Sequence, residues 1–521
     1  QATWVQGFFE LGRGPVTQHR PARGPAMARS DASPALGSRQ PPSGALKRKA
    51  PLASAGAQLR EDPGLLGSRS QRRVEEHAAA MRQATRTGEL AGCAGVVLHR
   101  GSAVFRRAFG YADLEHKVPF KHDTICRIYC MTKAYVNFVA MILAEEGLLD
   151  LDAPAARYVP SLQRMKVLTA DGQAPAPAKK VMTVRHLLTH MAGFSYGADF
   201  GYPSNELQKR YAGIVEGVES GRLSSLAAFV DELAAVPLVL EPGTRYEYGY
   251  STDVLGRVME VASGQSLDAL LRDRLFQPLG MHDTAFGVPA EKLPRLGAVY
   301  GNAATWGHLY GKAPGAVPAA SKPGLVRLDG GAAEESAWAA QRVKVFSGGG
   351  LLGHNRGGLV STTDDTVAFV RMLLAQGKAP NGKQLLRRST IAAMERNVLV
   401  GPWRDPERRD VRWCLVGDMI KDKRSLYFQQ GGAGGNYWQI DRKRDLAVVL
   451  FMQQVDGEDW KNPEHSDVDK VFRKIVDDTD CRRAAPTGKR AAKFGARGLQ
   501  VRKTATKRAP PRGQTVAFAA R

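Results

Sequence analysis

Arg127-Ile128-Tyr129-Cys130-Met131-Thr132-Lys133 is the stretch on which the reading of this chain turns. It opens a segment, 131–149, in which Met131, Ala134, Tyr135, Phe138, Met141, Ile142 and Leu148 recur at helical spacing. Cys130 therefore sits at the start of a helix. Lys133, three positions on, lies on the same helical face. A helix N-terminus also supplies free N–H groups and positive potential. This is the S-x-x-K arrangement of a nucleophile and an amine, with cysteine in the serine position. Four residues of this kind occur by chance in many chains, so the surroundings have to decide.

Upstream, 95–107 alternates apolar and polar residues around Arg100-Gly101-Ser102, which predicts a hairpin. Downstream, a short helix is expected over 183–190 after a Thr cap. Further helices are expected over 252–263, 267–276, 364–376 and 389–396, with Glu241-Pro242-Gly243 turning ahead of the first of these. Strands follow over 411–419, 426–429, 437–440 and 446–453, and a helix over 467–475 closes the body. Strands near both ends with helices between predict a mixed α/β fold. Its two ends form one antiparallel sheet, and a helical insertion packs beside it. No internal repeat is evident.

The 521 residues suffice for a large core, and 43 % hydrophobic content excludes a wholly disordered chain. No run approaches the ~18 apolar residues of a membrane span. Five cysteines form no disulfide framework and suit a reducing compartment, cytoplasmic or organellar. The net charge of +23 belongs mainly to the ends. Residues 1–70 hold 10 basic and 4 acidic residues, 481–521 hold 12 and none, and 71–480 keep 52 against 47. Residues 1–77 read as a disordered basic extension, with a transit peptide as the competing reading. Residues 479–521 read as a disordered basic tail. A nucleic-acid or anionic-membrane contact by these ends is the less favoured alternative to plain solvated chain.

Three other motifs point to chemistry and are set aside. Gly193-Phe194-Ser195-Tyr196-Gly197 has the spacing of a nucleophile elbow, but a helix precedes it where a strand is needed. Gly348-Gly349-Gly350-Leu351-Leu352-Gly353 matches G-x-G-x-x-G without a βαβ unit, and reads instead as backbone free to approach a neighbour. His186 and His190 share a helix face, but the zincin glutamate is replaced by Leu187. No metal site, phosphate loop or cofactor is implied. Cys126 reads as a buried strand residue, and a redox partnership with Cys130 is the alternative.

The surroundings of Cys130 carry a resemblance. Arg127–Lys133 precedes Glu145-Glu146-Gly147-Leu148-Leu149-Asp150-Leu151-Asp152. Arg185-His186-Leu187-Leu188-Thr189-His190-Met191-Ala192-Gly193, Pro242-Gly243-Thr244-Arg245-Tyr246-Glu247-Tyr248-Gly249-Tyr250-Ser251, Pro278-Leu279-Gly280-Met281 and Ser347-Gly348-Gly349-Gly350 follow in order. Together they make roughly 85–478 similar to the β-lactamase-related serine hydrolases: class C β-lactamases, DD-peptidases, and the esterases and transesterases of that fold. The resemblance implies a domain over 78–478, with an antiparallel sheet flanked by helices and a mostly helical subdomain beside the site. It implies acyl transfer through a covalent acyl-enzyme on Cys130, with Lys133 and Tyr248 managing protons. The third family element falls on Gln430-Gly431-Gly432, and the oxyanion donors on the N–H groups of Cys130 and Ala433.

Three departures shape the expected chemistry. A thiol beside a lysine at a helix N-terminus favours the thiolate, so Cys130 can rest paired with a Lys133 ammonium. That suits thioesters and activated esters better than amides. Gln430 carries no charge where a cation would pair with the carboxylate of a β-lactam or a D-alanyl terminus. Tyr250 stands where an asparagine amide would hold the acyl-side amide of a substrate, and Ser251 is its partial substitute. Uncharged small-molecule esters are the expected substrates. The alternative is a catalytically impaired protein of the same fold that binds a ligand or acts as a scaffold. Sulfur is larger than oxygen, and a misplacement of ~1 Å can cost about 100-fold.

Overall fold

Gly92–His99 reads Gly-Cys-Ala-Gly-Val-Val-Leu-His, too apolar for a strand with one wet face. In a computed structural model of the protein it is β1, buried along its whole length. The structure describes residues 59, 61–169, 174–196, 205–301, 325–329, 345–350, 358–398, 411–421 and 426–455. The helix expected over 467–475 and both basic tails lie outside the described residues. β1 turns into β2 (Ser102–Asp113) through Arg100 and Gly101, with φ of 52° and 78°. Left-handed conformations at both turn residues match the twist of the flanking strands, so the expected hairpin is present.

Six more strands complete the sheet: β3 (Val118–Pro119), β4 (Val411–Cys414), β5 (Gly417–Lys421), β6 (Leu426–Gly431), β7 (Tyr437–Asp441) and β8 (Leu446–Met452). Their spatial order is β4-β5-β6-β7-β8-β1-β2-β3, antiparallel throughout. The last strand lies against the first, with Val96 opposite Val449, so the two ends of the body share one sheet as expected. One element differs. The strand expected over 411–419 is two strands joined at Leu415 and Val416. Trp413-Cys414-Leu415-Val416 is uniformly apolar and shows no turn chemistry. Tertiary contacts hold the bend instead: Leu415 N–H donates to Met394 O at 2.9 Å, and Asn137 Nδ2 donates to Leu415 O at 3.1 Å.

Alternation along the central strands sends side chains to two cores. Cys93, Val97, Leu446, Val448, Leu450 and Met452 face one. Ala94, Val96, Leu98, Ala447, Val449 and Phe451 face the other. The first is covered by α1 (Ser68–Thr87), through Val74, Ala78 and Met81. This helix crosses the boundary that the sequence placed at 77/78, and the described structure reaches further back, with Asp62 N–H on Ala103 O at 2.7 Å. Its apolar stripe is short and flanked by Arg, Gln and Glu, so composition alone reads it as part of the basic extension.

The second face carries α2 (Thr132–Glu145), buried from Thr132 through Leu143, as a helix apolar on all sides must be. The helical subdomain comprises α3 (Val184–Leu188), α4 (Asn205–Glu219), α5 (Leu226–Ala234), α6 (Ser251–Ser263) and α7 (Leu267–Leu271). α6 packs on α2, α3 and α5. The helix expected over 267–276 is α7 continued by a π-helical turn, Arg272–Phe276. α8 (Thr363–Leu374) and α9 (Arg388–Met394) return the chain to the sheet.

Candidate active site

The chain before Cys130 is pinned on both sides. Cys126–Arg127 pairs with Val360–Ser361, and Ile128 N–H donates to Leu359 O at 3.0 Å. On the sheet side, Gln453 Oε1 accepts from Arg127 N–H at 2.9 Å. Arg127 O accepts from Asn436 Nδ2 at 2.7 Å and Gln453 Nε2 at 3.0 Å. Tyr129 then takes φ of 45°, a left-handed conformation that a non-glycine residue holds only when its surroundings impose it. The turn Tyr129–Met131 runs directly into α2. Two glycines permit this packing. A Cβ on Gly350 would stand 2.1 Å from Tyr129 O, and one on Gly432 2.2 Å from Ile128 O.

Cys130 is buried beside Lys133 and Tyr248, and its thiol interacts with both. Lys133 is inaccessible to solvent. Its Nζ donates to Gly349 O and lies 4.5 Å from the centre of the Tyr248 ring. Burial pulls the Lys133 amine below its ordinary range, while the charges of Cys130 and Asp253 pull the other way. Burial, with Cys130 next, pushes the Tyr248 phenol well above its own. His190 stacks on Tyr248 at 5.1 Å and has its proton affinity lowered by burial and by Lys133, so its imidazole is neutral near pH 7. A thiol, an amine and a phenol thus meet in a dry site where proton positions are set by one another.

β6 brings its end to the same place. Gly432 lies against Ile128, and Gly434 against the Tyr129 ring. Among the described residues, neither the Cys130 nor the Ala433 N–H donates to a protein acceptor. Gln430 is buried, and its Nε2 donates to its neighbour Gly431 O at 3.3 Å. On its Cβ side Gly431 has only ordinary contacts, with Asn436 O at 3.6 Å and Tyr437 Cβ at 3.8 Å. Tyr250 is placed differently. It precedes α6 and packs in an aromatic cluster with Tyr196, Tyr211 and Phe229, at 4.6, 5.4 and 5.7 Å between ring centres. Tyr196 stands between it and Lys133.

The other motifs resolve as structural features. Thr183 Oγ1 accepts from His186 N–H, and His186 Nδ1 accepts from Thr183 N–H, so His186 caps α3. His190 is buried with Nε2 3.3 Å from Thr252 Oγ1. Ser195 is buried in a loop after α3, with no strand before it. Gly348, Gly349 and Gly350 press their backbone on Thr252, Asp253 and Tyr129. Cys126 lies in its short strand, its thiol pushed up by burial. Among the described residues no cluster of His, Cys, Asp or Glu is placed to hold a metal ion. No described helix is long and apolar enough to cross a membrane. Sequence reasoning missed Asp253, His190 as a stacking partner, Asn436 and Gln453. Only the tertiary fold shows what they touch.

This arrangement of sheet, central helix and helical subdomain is shared with EstCE1, a hydrolase with promiscuous acyltransferase activity. The TM-score is 0.60 at 23 % identity, over 78 % of this chain and 99 % of that one. The fold is that of the β-lactamases and transpeptidases. The family profile described as Beta-lactamase matches residues 75–469, and the chain belongs to that family. Its relatives include esterases and acyltransferases. Esterase EstB of Burkholderia gladioli is 36 % identical over 208 residues, 40 % of this chain and 50 % of the esterase. Monacolin J acid methylbutanoyltransferase of Aspergillus terreus (strain NIH 2624 / FGSC A1156) is 28 % identical over 428 residues, 76 % of this chain and 94 % of the transferase.

Proposed function

We propose that this protein hydrolyses or transfers acyl esters through a covalent acyl-enzyme on Cys130. The observation that carries the reading is the burial of Cys130 beside Lys133 and Tyr248, with Lys133 Nζ 4.5 Å from the centre of the Tyr248 ring. With its proton held on Lys133, the Cys130 sulfur attacks the ester carbonyl carbon. The carbonyl oxygen takes the developing charge and accepts from the N–H groups of Cys130 and Ala433; such a donor is typically worth about 3 kcal/mol. Collapse breaks the bond to the leaving group, which takes a proton from Lys133 by way of Tyr248. Water or an alcohol then attacks the thioester and restores the thiol. Gly431, whose Cβ side has no neighbour closer than 3.6 Å, lets an acyl group come close to the strand backbone, while Gly432 lets the strand end pack on Ile128. Neutral Gln430 offers a carboxylate no charged partner, which supports uncharged small-molecule esters and thioesters over β-lactams.

The test is incubation with p-nitrophenyl acetate and butyrate, followed by intact mass, of the parent, Cys130→Ser and Cys130→Ala. The expected result is one acyl adduct on the parent and none on Cys130→Ala. An inert parent with an active Cys130→Ser would show a hydrolase frame disarmed at one atom. Three inert proteins would favour the ligand-binding or scaffold role.

A further inference from the structure

One buried carboxyl group has no part in the scheme above. Asp253, in the first turn of α6, is 1 % exposed. Its Oδ1 accepts from Ser347 Oγ at 2.7 Å and from Gly349 N–H at 3.1 Å. Ser347 Oγ itself accepts from Gly350 N–H at 3.0 Å, so its single proton is committed to Asp253. Asp253 Oδ2 is buried with no hydrogen-bond partner. A Cβ on Gly349 would stand 2.1 Å from that oxygen and 2.8 Å from Tyr196 Oη. The peptide that Asp253 grips through Gly349 N–H belongs to the same residue whose carbonyl receives Lys133 Nζ.

We propose that Asp253 is a positioning residue: through Ser347 and Gly349 it builds the carbonyl seat of Lys133, and its unpartnered oxygen supplies the buried negative charge facing the ammonium. The inference rests on the reading of Cys130 and Lys133 as the reacting pair. Burial pushes the Asp253 carboxyl above its ordinary range, while the Ser347 hydrogen bond and the Lys133 charge act the other way and favour the carboxylate. An unpaired buried charge is costly, so the Asp253 carboxylate and the Lys133 ammonium each favour the charged form of the other. The titratable groups facing Lys133 are Cys130 on its own turn, Asp253 on α6, Tyr248 ahead of α6, and His190 and Tyr196 from the segment after α3. With the Asp253 charge removed, Lys133 loses its proton at lower pH, and Cys130 then stands beside a neutral amine in place of an ammonium.

The experiment follows alkylation of Cys130 by iodoacetamide against pH, read on the Cys130 peptide by mass. It needs no substrate. Asp253→Asn keeps the shape and the Oδ1 acceptor but not the charge; Ser347→Ala removes one hydrogen bond and no charge. The expected result is labelling slower by about tenfold at pH 7 in Asp253→Asn, the equivalent of one pH unit, with the whole profile moved to higher pH. Ser347→Ala should keep the parent profile. An Asp253→Asn profile that overlies the parent would reduce Asp253 to a structural role and overturn the proposal. If Asp253→Asn does not fold, the lysine side-chain carbon resonances of the parent decide, with Lys133 assigned by its loss in Lys133→Met. An ammonium at pH 7 supports the proposal, and a neutral amine overturns it. Failure of ester acylation with a shifted alkylation profile would sink the proposed function alone.

Discussion

At the residue scale, the site is a lesson in what burial does to ordinary side chains. Lys133 is shut off from solvent, and its charge is offset by Gly349 O, the Tyr248 ring and Asp253. Such a lysine costs stability that a surface lysine does not. Lys133→Met, which keeps the length and removes the charge, should therefore melt no lower than the parent. It should also acylate at Cys130 more slowly by about 100-fold or more, the usual worth of a positioned proton carrier. A Lys133→Met protein that acylates at the parent rate would remove Lys133 from the mechanism. The motif Cys130-x-x-Lys133 was legible because a helix fixes the relation of residues three apart. Asp253 was not, since its partners lie at Lys133, Ser347 and Gly349, distant in sequence.

At the scale of elements, α8 opens with two acids. Thr362 caps it by accepting from Asp365 N–H at 3.1 Å, and Asp364 pairs with Arg106 at 2.9 Å. Among the described residues Asp365 makes no salt bridge, and Arg295 acts on it only at longer range. Its Oδ2 accepts from Asp283 N–H and Thr284 Oγ1, both at 2.8 Å, and its Oδ1 is unpartnered. Burial pushes its carboxyl up to about 7. The folded protein thus holds this proton more tightly than the unfolded chain does. Asp365 accordingly costs nothing below about pH 4, and stability falls as pH rises through 7. Asp365→Asn should flatten this part of the dependence. Urea midpoints at pH 5 and pH 8 should converge in the variant relative to the parent, and parallel curves would refute the assignment. The sequence marked the helix through its period, but an acidic first turn reads the same whether wet or dry.

For the whole molecule, charge and chemistry are separable. The described residues carry Cys130, Lys133 and Tyr248, the proposed reacting groups, while 12 of the basic residues, with no acid among them, sit in 481–521. Deleting 481–521 is expected to leave the rate of Cys130 acylation unchanged. Binding of the full chain to RNA or anionic vesicles, lost on deletion, would assign that segment an anchoring role in place of plain solvated chain.

Periodicity and motif order by themselves determined the class of fold, the hairpin at Arg100-Gly101, the helix behind Cys130, and the family. Each depends on local rules: alternation of two in strands, 3.6 residues per helical turn, and positive φ at a tight turn. The bend at Leu415-Val416, the clamp of Asn436 and Gln453 on Arg127, the placement of Tyr250 in an aromatic core and the grip of Asp253 on Ser347 and Gly349 were decided only by the tertiary structure. They rest on contacts between residues far apart in the chain. Hydrogen bonding and burial act through space, and no spacing in the sequence records them.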